Sequence, residues 1–232
     1  MTGGFYDLHI HSCLSPCASD DMTPSNIAGM ASIKGLSLIA LTDHNSGYNL
    51  LAMEKAAAEF DLVFIPGIEV TTVEEVHVLT YFKDTKTAYT FGEMLYNSLP
   101  DIANRPGIFG RQIVMDEDDK PVRELPKLLL QATPFSIDDI ARMAFEAGGC
   151  AVPAHINRDS FSVLSNLGFM PSGLFNAVEV AAGLPCPPVD ASLLILHSSD
   201  AHNLGDISEP INRLDSAKNA SEFVEMVEKP FI

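Results

Sequence analysis

Thr23-Pro24-Ser25-Asn26-Ile27-Ala28-Gly29-Met30-Ala31-Ser32-Ile33-Lys34-Gly35 is followed by Leu36-Ser37-Leu38-Ile39-Ala40-Leu41-Thr42-Asp43-His44. Thr23 is a good N-cap and Pro24 suits the first helical position, so a helix is expected from there to Lys34, ended by Gly35. Leu36 to Leu41 is an apolar run of strand length, buried on both faces. The run ends abruptly in Asp43-His44. A helix, then a buried strand, then polar groups at the strand's end is the grammar of a parallel α/β fold.

The same grammar recurs outward from this stretch. Phe5 to His11 reads as a strand, Leu50 to Phe60 as a helix, and Leu62 to Ile65 and Ile68 to Thr71 as strand broken by Pro66-Gly67. Val76 to Phe82 reads as a further strand. From Ser136, a capping residue with Asp139 three positions on, a helix runs to Gly148-Gly149. Short strands follow at Cys150 to Ala154, Ala177 to Val180 and Leu193 to Leu196, and a last helix at about Ala220 to Glu228. About seven strands separated mostly by helices predict a single closed α/β barrel over 1–232. Residues 83–134 break the pattern, with a helix at Phe91 to Leu99 and a hairpin around the acidic turn Asp116 to Asp119. This stretch reads as an inserted subdomain. Its apolar side chains must pack on something, either as a lid or side wall at the barrel mouth or as an oligomer interface.

Composition narrows the function classes. The chain has 232 residues, 47% of them hydrophobic, and 31 acidic against 14 basic residues for a net charge of −17. No Lys/Arg cluster offers a phosphate-backbone surface, so long nucleic acid is not an expected partner. No apolar run is long enough for a membrane span, Met1 to Asp7 lacks signal-peptide character, and four cysteines do not make a disulfide scaffold. A cytoplasmic location is the expectation.

The seven histidines carry the functional signal. His9 and His11 share one face of an extended segment, because strand side chains repeat every two residues. His44 and His155 end strands; Asp200 and His202 follow one, again two apart. Glu69 stands in an otherwise apolar strand, and His77 begins the next. Strand ends on one face are where α/β barrels assemble their sites. A set rich in imidazole and carboxylate favours zinc, manganese or iron over calcium. There are more donors than one ion can use, and Glu69 can bridge two. Divalent ions so placed draw hydroxide from water and hold substrate oxygens.

Asp7-Leu-His9-Ile-His11-Ser12, Thr42-Asp43-His44-Asn45, Gly67-Ile-Glu69, Ala154-His155 and Ser199-Asp200-Ala-His202 resemble the ordered motifs of the PHP (polymerase and histidinol phosphatase) family. The resemblance implies a distorted seven-stranded barrel and a centre of three divalent ions that hydrolyses phosphoesters. It also implies a ligand assignment. His9, His11, Glu69 and Asp200 would hold one ion, Glu69, His77 and His155 the second, and His44 and His202 the third together with a residue of the first loop. That loop, Ser15 to Thr23, is longer than in many relatives. Alignment on its Ser-Asp makes Asp20 the ligand, with Asp21 as the alternative.

Arg158, three residues past His155, is placed to clamp a phosphate. Asp200, His202 and Arg158 are the candidate catalytic residues, with His44 or a water as other aids to the leaving oxygen. Asp43 could orient a neighbouring group or simply end its strand. Cys13 and Cys17 lie in the first loop and read as packing residues rather than ligands or a redox pair. His197 reads as packed in the barrel. The expected activity is that of a metal-dependent phosphoesterase on a small phosphorylated substrate. A 3′–5′ exonuclease on short oligonucleotides and a non-catalytic metal-binding regulatory module are the alternatives.

Overall fold

The computed structural model describes residues 4–214 and 217–228. In chain order the elements are β1 (Gly4–Asp7), α1 (Pro24–Ile33), β2 (Leu38–Leu41), α2 (Leu50–Glu59), β3 (Val63–Thr71), β4 (His77–Tyr81), α3 (Thr85–Ser98), α4 (Pro106–Phe109), β5 (Ile113–Met115), β6 (Pro121–Glu124), α5 (Ile137–Glu146), β7 (Cys150–Pro153), α6 (Val163–Leu167), β8 (Ala177–Ala181), β9 (Leu194–Ser198), β10 (Arg213–Leu214) and α7 (Ala220–Val227). The caps form as their sequences predict. Thr23 accepts from the Asn26 N–H, and Ser136 and Asp139 make a reciprocal capping box.

Six strands form one curled sheet in the order β10-β1-β2-β3-β4-β7, and β8 pairs separately with β9. β1, β2 and β3 run parallel, each joined to the next through a helix. β4 is antiparallel to both β3 and β7, because only Thr72 to Val76 separates it from β3, too short for a crossover. The architecture is thus an α/β half-barrel, and the uninterrupted ladder of a closed seven-stranded barrel does not form among the described residues. The outer edge of β1 at Gly4 and Phe5 is taken by β10, which runs antiparallel to it. The β8–β9 pair meets the large sheet through sparse contacts: the Ile10–Ala201 bridge on one side and the Ile156 N–H to the Glu179 carbonyl, 2.9 Å, on the other.

Pro66-Gly67 does not break its strand. β3 runs through it, pairing with β2 over Val63 to Pro66 and with β4 over Gly67 to Thr71. Gly67 is needed there, since a Cβ would fall 2.9 Å from both Thr42 Cγ2 and Tyr81 Cδ1.

Strand alternation divides the core in two. Tyr6, Leu8, Leu38, Ala40, Ile65, Leu79 and Tyr81 point inward and pack on Phe223, Val224 and Val227 of α7. Ile39, Leu41, Ile68, Val70 and Val78 point outward to α1, α2 and α5. One end of the sheet is therefore filled by apolar side chains, and the polar strand ends gather at the other. Stretch 83–134 packs on the rim: Leu14 and Tyr48 meet Leu99, Val114, Leu125 and Leu129.

Candidate metal centre

Two isolated bridges assemble the site. The β2–β3 pairing continues as His44–Glu69, and Ile10–Ala201 sets His9 and His11 beside Asp200 and His202. His155, Asp200 and Asn45 hold positive φ of 30°, 54° and 49°. Such backbone costs about 1–3 kcal/mol per residue and persists where its surroundings enforce it. Here it turns His155 and Asp200 toward Glu69 and His11, while Asn45 reaches the carbonyls of Leu129 and Gln131.

Neighbouring groups fix which nitrogen each ring offers. The Nδ1–H of His9 donates to Glu179 Oε1 at 2.9 Å. Ser15 donates its hydroxyl to Asp43 (2.7 Å) and accepts from His11 Nδ1–H at 3.1 Å. Both rings therefore turn Nε2 inward, the nitrogen that a metal-binding imidazole offers. Those two Nε2 atoms lie 3.2 Å apart. Asp200 Oδ1 is 3.2 Å from one and 3.0 Å from the other, and Glu69 oxygens are 3.3 and 3.4 Å away. Four buried groups, His9, His11, Glu69 and Asp200, thus crowd one point.

Glu69 extends the cluster in two directions. Its Oε1 lies 2.9 Å from His77 Nδ1 and 3.2 Å from His155 Nε2, and its Oε2 lies 3.0 Å from His44 Nδ1. Glu69 Oε2, His44 Nδ1 and His77 Nδ1 are buried and without hydrogen-bond geometry despite this closeness. Such orphaned atoms are costly unless a cation lies between them. A third group, His11, His44 and His202, converges beside the other two. The His202 Nδ1–H donates to the Asp200 carbonyl at 2.8 Å, leaving Nε2 free. The donor set therefore fits divalent metal binding.

The electrostatics agree. Burial opposes ionisation of Glu69 and Asp200, yet the surrounding imidazoles hold both carboxyls well below their ordinary range. Burial lowers the basicity of His9, but Glu179, Asp200 and Glu69 raise it well above its usual value. His11, buried among other rings, is pushed well below. Rings this close cannot all carry protons.

Each sequence-predicted residue can now be placed. His9, His11, His44, Glu69, His77, His155, Asp200 and His202 come together. Arg158 lies on the cavity wall, its Nη1 bound to Asp200 Oδ2. Asp43 orients the first loop, accepting from the Ser12 and Ser15 hydroxyls at 2.6 and 2.7 Å. Asp20 is not brought to the cluster. It is exposed, 3.1 Å from Arg111 Nη1, because the loop turns outward after Ser19. Asp21 is exposed as well. The first-loop side chain on the cavity wall is instead that of Cys17, which sequence reasoning assigned to packing. Partial desolvation on the cavity wall raises its thiol's pKa, but His44 and His202 bring it down to about 7. Glu179 was also missed. It is buried, carries His9 through one oxygen, and accepts the His155 N–H at 2.7 Å through the other. A lone acid in the apolar run Ala177 to Ala181 was the available signal.

An α/β half-barrel with an imidazole–carboxylate cluster at its strand ends defines a class of metal-dependent hydrolases. The sequence profile of the PHP domain matches residues 7–134, more than half of the chain, and the chain belongs to the PHP family. No functionally curated protein matches it. Among solved structures it resembles a provisionally assigned metal-dependent phosphoesterase from Bifidobacterium adolescentis, at 19% identity and TM-score 0.59, covering 95% of this chain and 94% of that one. An amidohydrolase from Chromobacterium violaceum with bound sulfate is similar at 19% and 0.59, covering 97% and 98%. A lesion-specific endonuclease from Pyrococcus furiosus is similar at 21% and 0.57, covering 87% of this chain but 49% of that one. The chain thus spans about half the length of the endonuclease.

Proposed function

We propose that this chain is a metal-dependent phosphoesterase acting on a small phosphorylated substrate. The observation that carries the reading is the gathering of eight His, Glu and Asp side chains, six of which (His44, Glu69, His77, His155, Asp200 and His202) line one cavity of about 230 Å³ while His9 and His11 lie buried beneath it. That volume lies below the roughly 300–1,000 Å³ of common ligand sites and suits a compact ester. Divalent ions held there supply Lewis acidity and activated water. His9, His11, Glu69 and Asp200 would hold one, Glu69, His77 and His155 a second, and His44 and His202 belong to a third.

The chain's own residues do the rest. Arg158 is the cation at the mouth, and Asp200 occupies only part of its five-donor guanidinium, leaving N–H groups for a phosphate oxygen. Asp200 therefore both binds metal and aims the arginine. His202, half-buried on the cavity wall, is fixed by its Nδ1–H on the Asp200 carbonyl, so its Nε2 is the atom that would hold the third ion. Phe161 stacks on His77 with centroids 4.8 Å apart and, with Leu130, forms the apolar wall. Leu130 belongs to stretch 83–134. The carbonyls of Leu129 and Gln131 on either side accept from Asn45 Nδ2 at 2.8 and 2.9 Å. We read that stretch as a side wall that narrows the mouth.

Metal-stripped protein should be reloaded with manganese or zinc and offered phosphomonoesters, mononucleotides, dinucleotides and an abasic duplex. Hydrolysis of the small esters, abolished by chelation, supports the reading. Preference for the duplex would replace it with a nuclease, and no turnover of any ester would leave a non-catalytic metal-binding module.

A further inference from the structure

The third group of imidazoles, His11, His44 and His202, contains no carboxylate. Its rings are close, with centroids 4.5 Å apart for His11–His44 and 4.4 Å for His11–His202. His44 is buried, with its Nδ1 3.0 Å from Glu69 Oε2, so it stands between this group and the Glu69 cluster. An ion there would lack an anionic donor of its own from these three residues. The first loop has three candidates, and two are turned away: Asp20 is engaged by Arg111, and Asp21 is exposed with its carbonyl accepting from Asn26 Nδ2. Cys17 alone of the three lines the cavity, on the same wall as His44 and His202.

That position is built rather than incidental. The Ser19 N–H donates to the His202 carbonyl at 2.9 Å, and the Ala18 N–H to the Ser15 carbonyl at 2.9 Å, so Cys17 is pinned on both sides. Ser15 is itself held by Asp43. From outside, Gly110 presses on the loop so closely that a Cβ would fall 1.9 Å from the Pro16 carbonyl oxygen.

We propose that the Cys17 thiolate is the first-loop ligand of the third ion, beside His44 and His202, and that it makes this position prefer zinc-like ions to manganese. Thiolate is a soft donor that suits zinc, whereas manganese favours oxygen donors. The inference rests on reading the cluster as a multi-metal centre, but its test does not depend on hydrolysis.

The test is zinc X-ray absorption on the metal-stripped full chain reloaded with zinc. Wild type should show a sulfur shell at about 2.3 Å, the usual Zn–S distance. Cys17→Ser should lose that shell and bind one ion fewer at limiting zinc, while Cys13→Ser should keep it. Cys17→Asp should regain the ion without sulfur and accept manganese as readily as zinc. Because Cys17 is solvent-accessible on the cavity wall, these variants leave no void in the core. A wild-type spectrum without sulfur, or a shell that survives in Cys17→Ser, overturns the proposal. Three bound ions without sulfur overturns this inference alone. A sulfur shell in a protein that hydrolyses no phosphoester upholds it and sinks the functional reading.

Discussion

Glu179→Gln changes one atom and should weaken the first metal position without unfolding the chain. The carboxylate accepts two N–H groups: His155 N at 2.7 Å and His9 Nδ1 at 2.9 Å. A glutamine has a single acceptor oxygen. The backbone N–H of His155 cannot change its character, so it keeps that oxygen, and the amide NH2 then faces His9 Nδ1. To avoid donor against donor, His9 must give up its Nδ1 proton and carry one on Nε2, the atom that points at His11, Glu69 and Asp200. Loss of such a partner behind a metal-bound histidine typically costs about 10–100-fold in metal affinity. That equals roughly 1.4–2.8 kcal/mol at a tenfold per 1.4 kcal/mol. Competition of metal-stripped protein against a chromophoric chelator reads the change directly, with circular dichroism to show the fold intact. A folded variant whose tightest zinc affinity stays within twofold of wild type would refute the claim that Glu179 sets the His9 proton.

Other outcomes follow from the same geometry. Arg158→Ala should leave metal content unchanged and raise KM for a phosphomonoester, lowering kcat as well if the contact tightens in the transition state; unchanged kinetics on every turned-over ester would remove it from the site. In metal-free protein Cys17 should be alkylated with a midpoint near its pKa of about 7. Cys13, pushed by burial to about 12, should stay inert. The sign is definite: the folded thiol ionises more readily than a free one, so unfolding must move the Cys17 midpoint upward, and metal loading should block the reaction. Gly110 has φ 99° and ψ 174°, a region open essentially to glycine. Gly110→Ala should destabilise the chain by at least about 1–3 kcal/mol in denaturant melts from backbone strain alone, before its clash with Pro16; an unchanged midpoint would contradict the clamp.

Much of the site was legible because its signals are local. His9 and His11 share a face by strand periodicity, and His44, His155 and Asp200 stand where apolar runs end. Glu69 announced itself as an acid within a buried strand, and Glu179 carried the same signal but sits on a short strand with no histidine beside it. Asp20 misled because the course of the first loop is set from a distance. Ile113 donates to the Cys13 carbonyl, Gly110 abuts Pro16, and His202 accepts from Ser19, so contacts some 90 to 180 residues away choose Cys17 over Asp20. The sheet was legible in its parallel part, β1 to β3. Its closure was not, because β4 reverses through a short connection and β10 takes the edge of β1, neither of which hydrophobic patterning reports.

Anomalous diffraction at the zinc edge from crystals of the reloaded protein tests the central claim most directly. Three peaks should appear at the strand ends, neighbouring ions roughly 3.5–4 Å apart as in bridged hydrolytic centres. Glu69 should lie between the ion at His9, His11 and Asp200 and the ion at His77 and His155, with the third beside His44 and His202. A single peak, or peaks away from Glu69, would contradict the account.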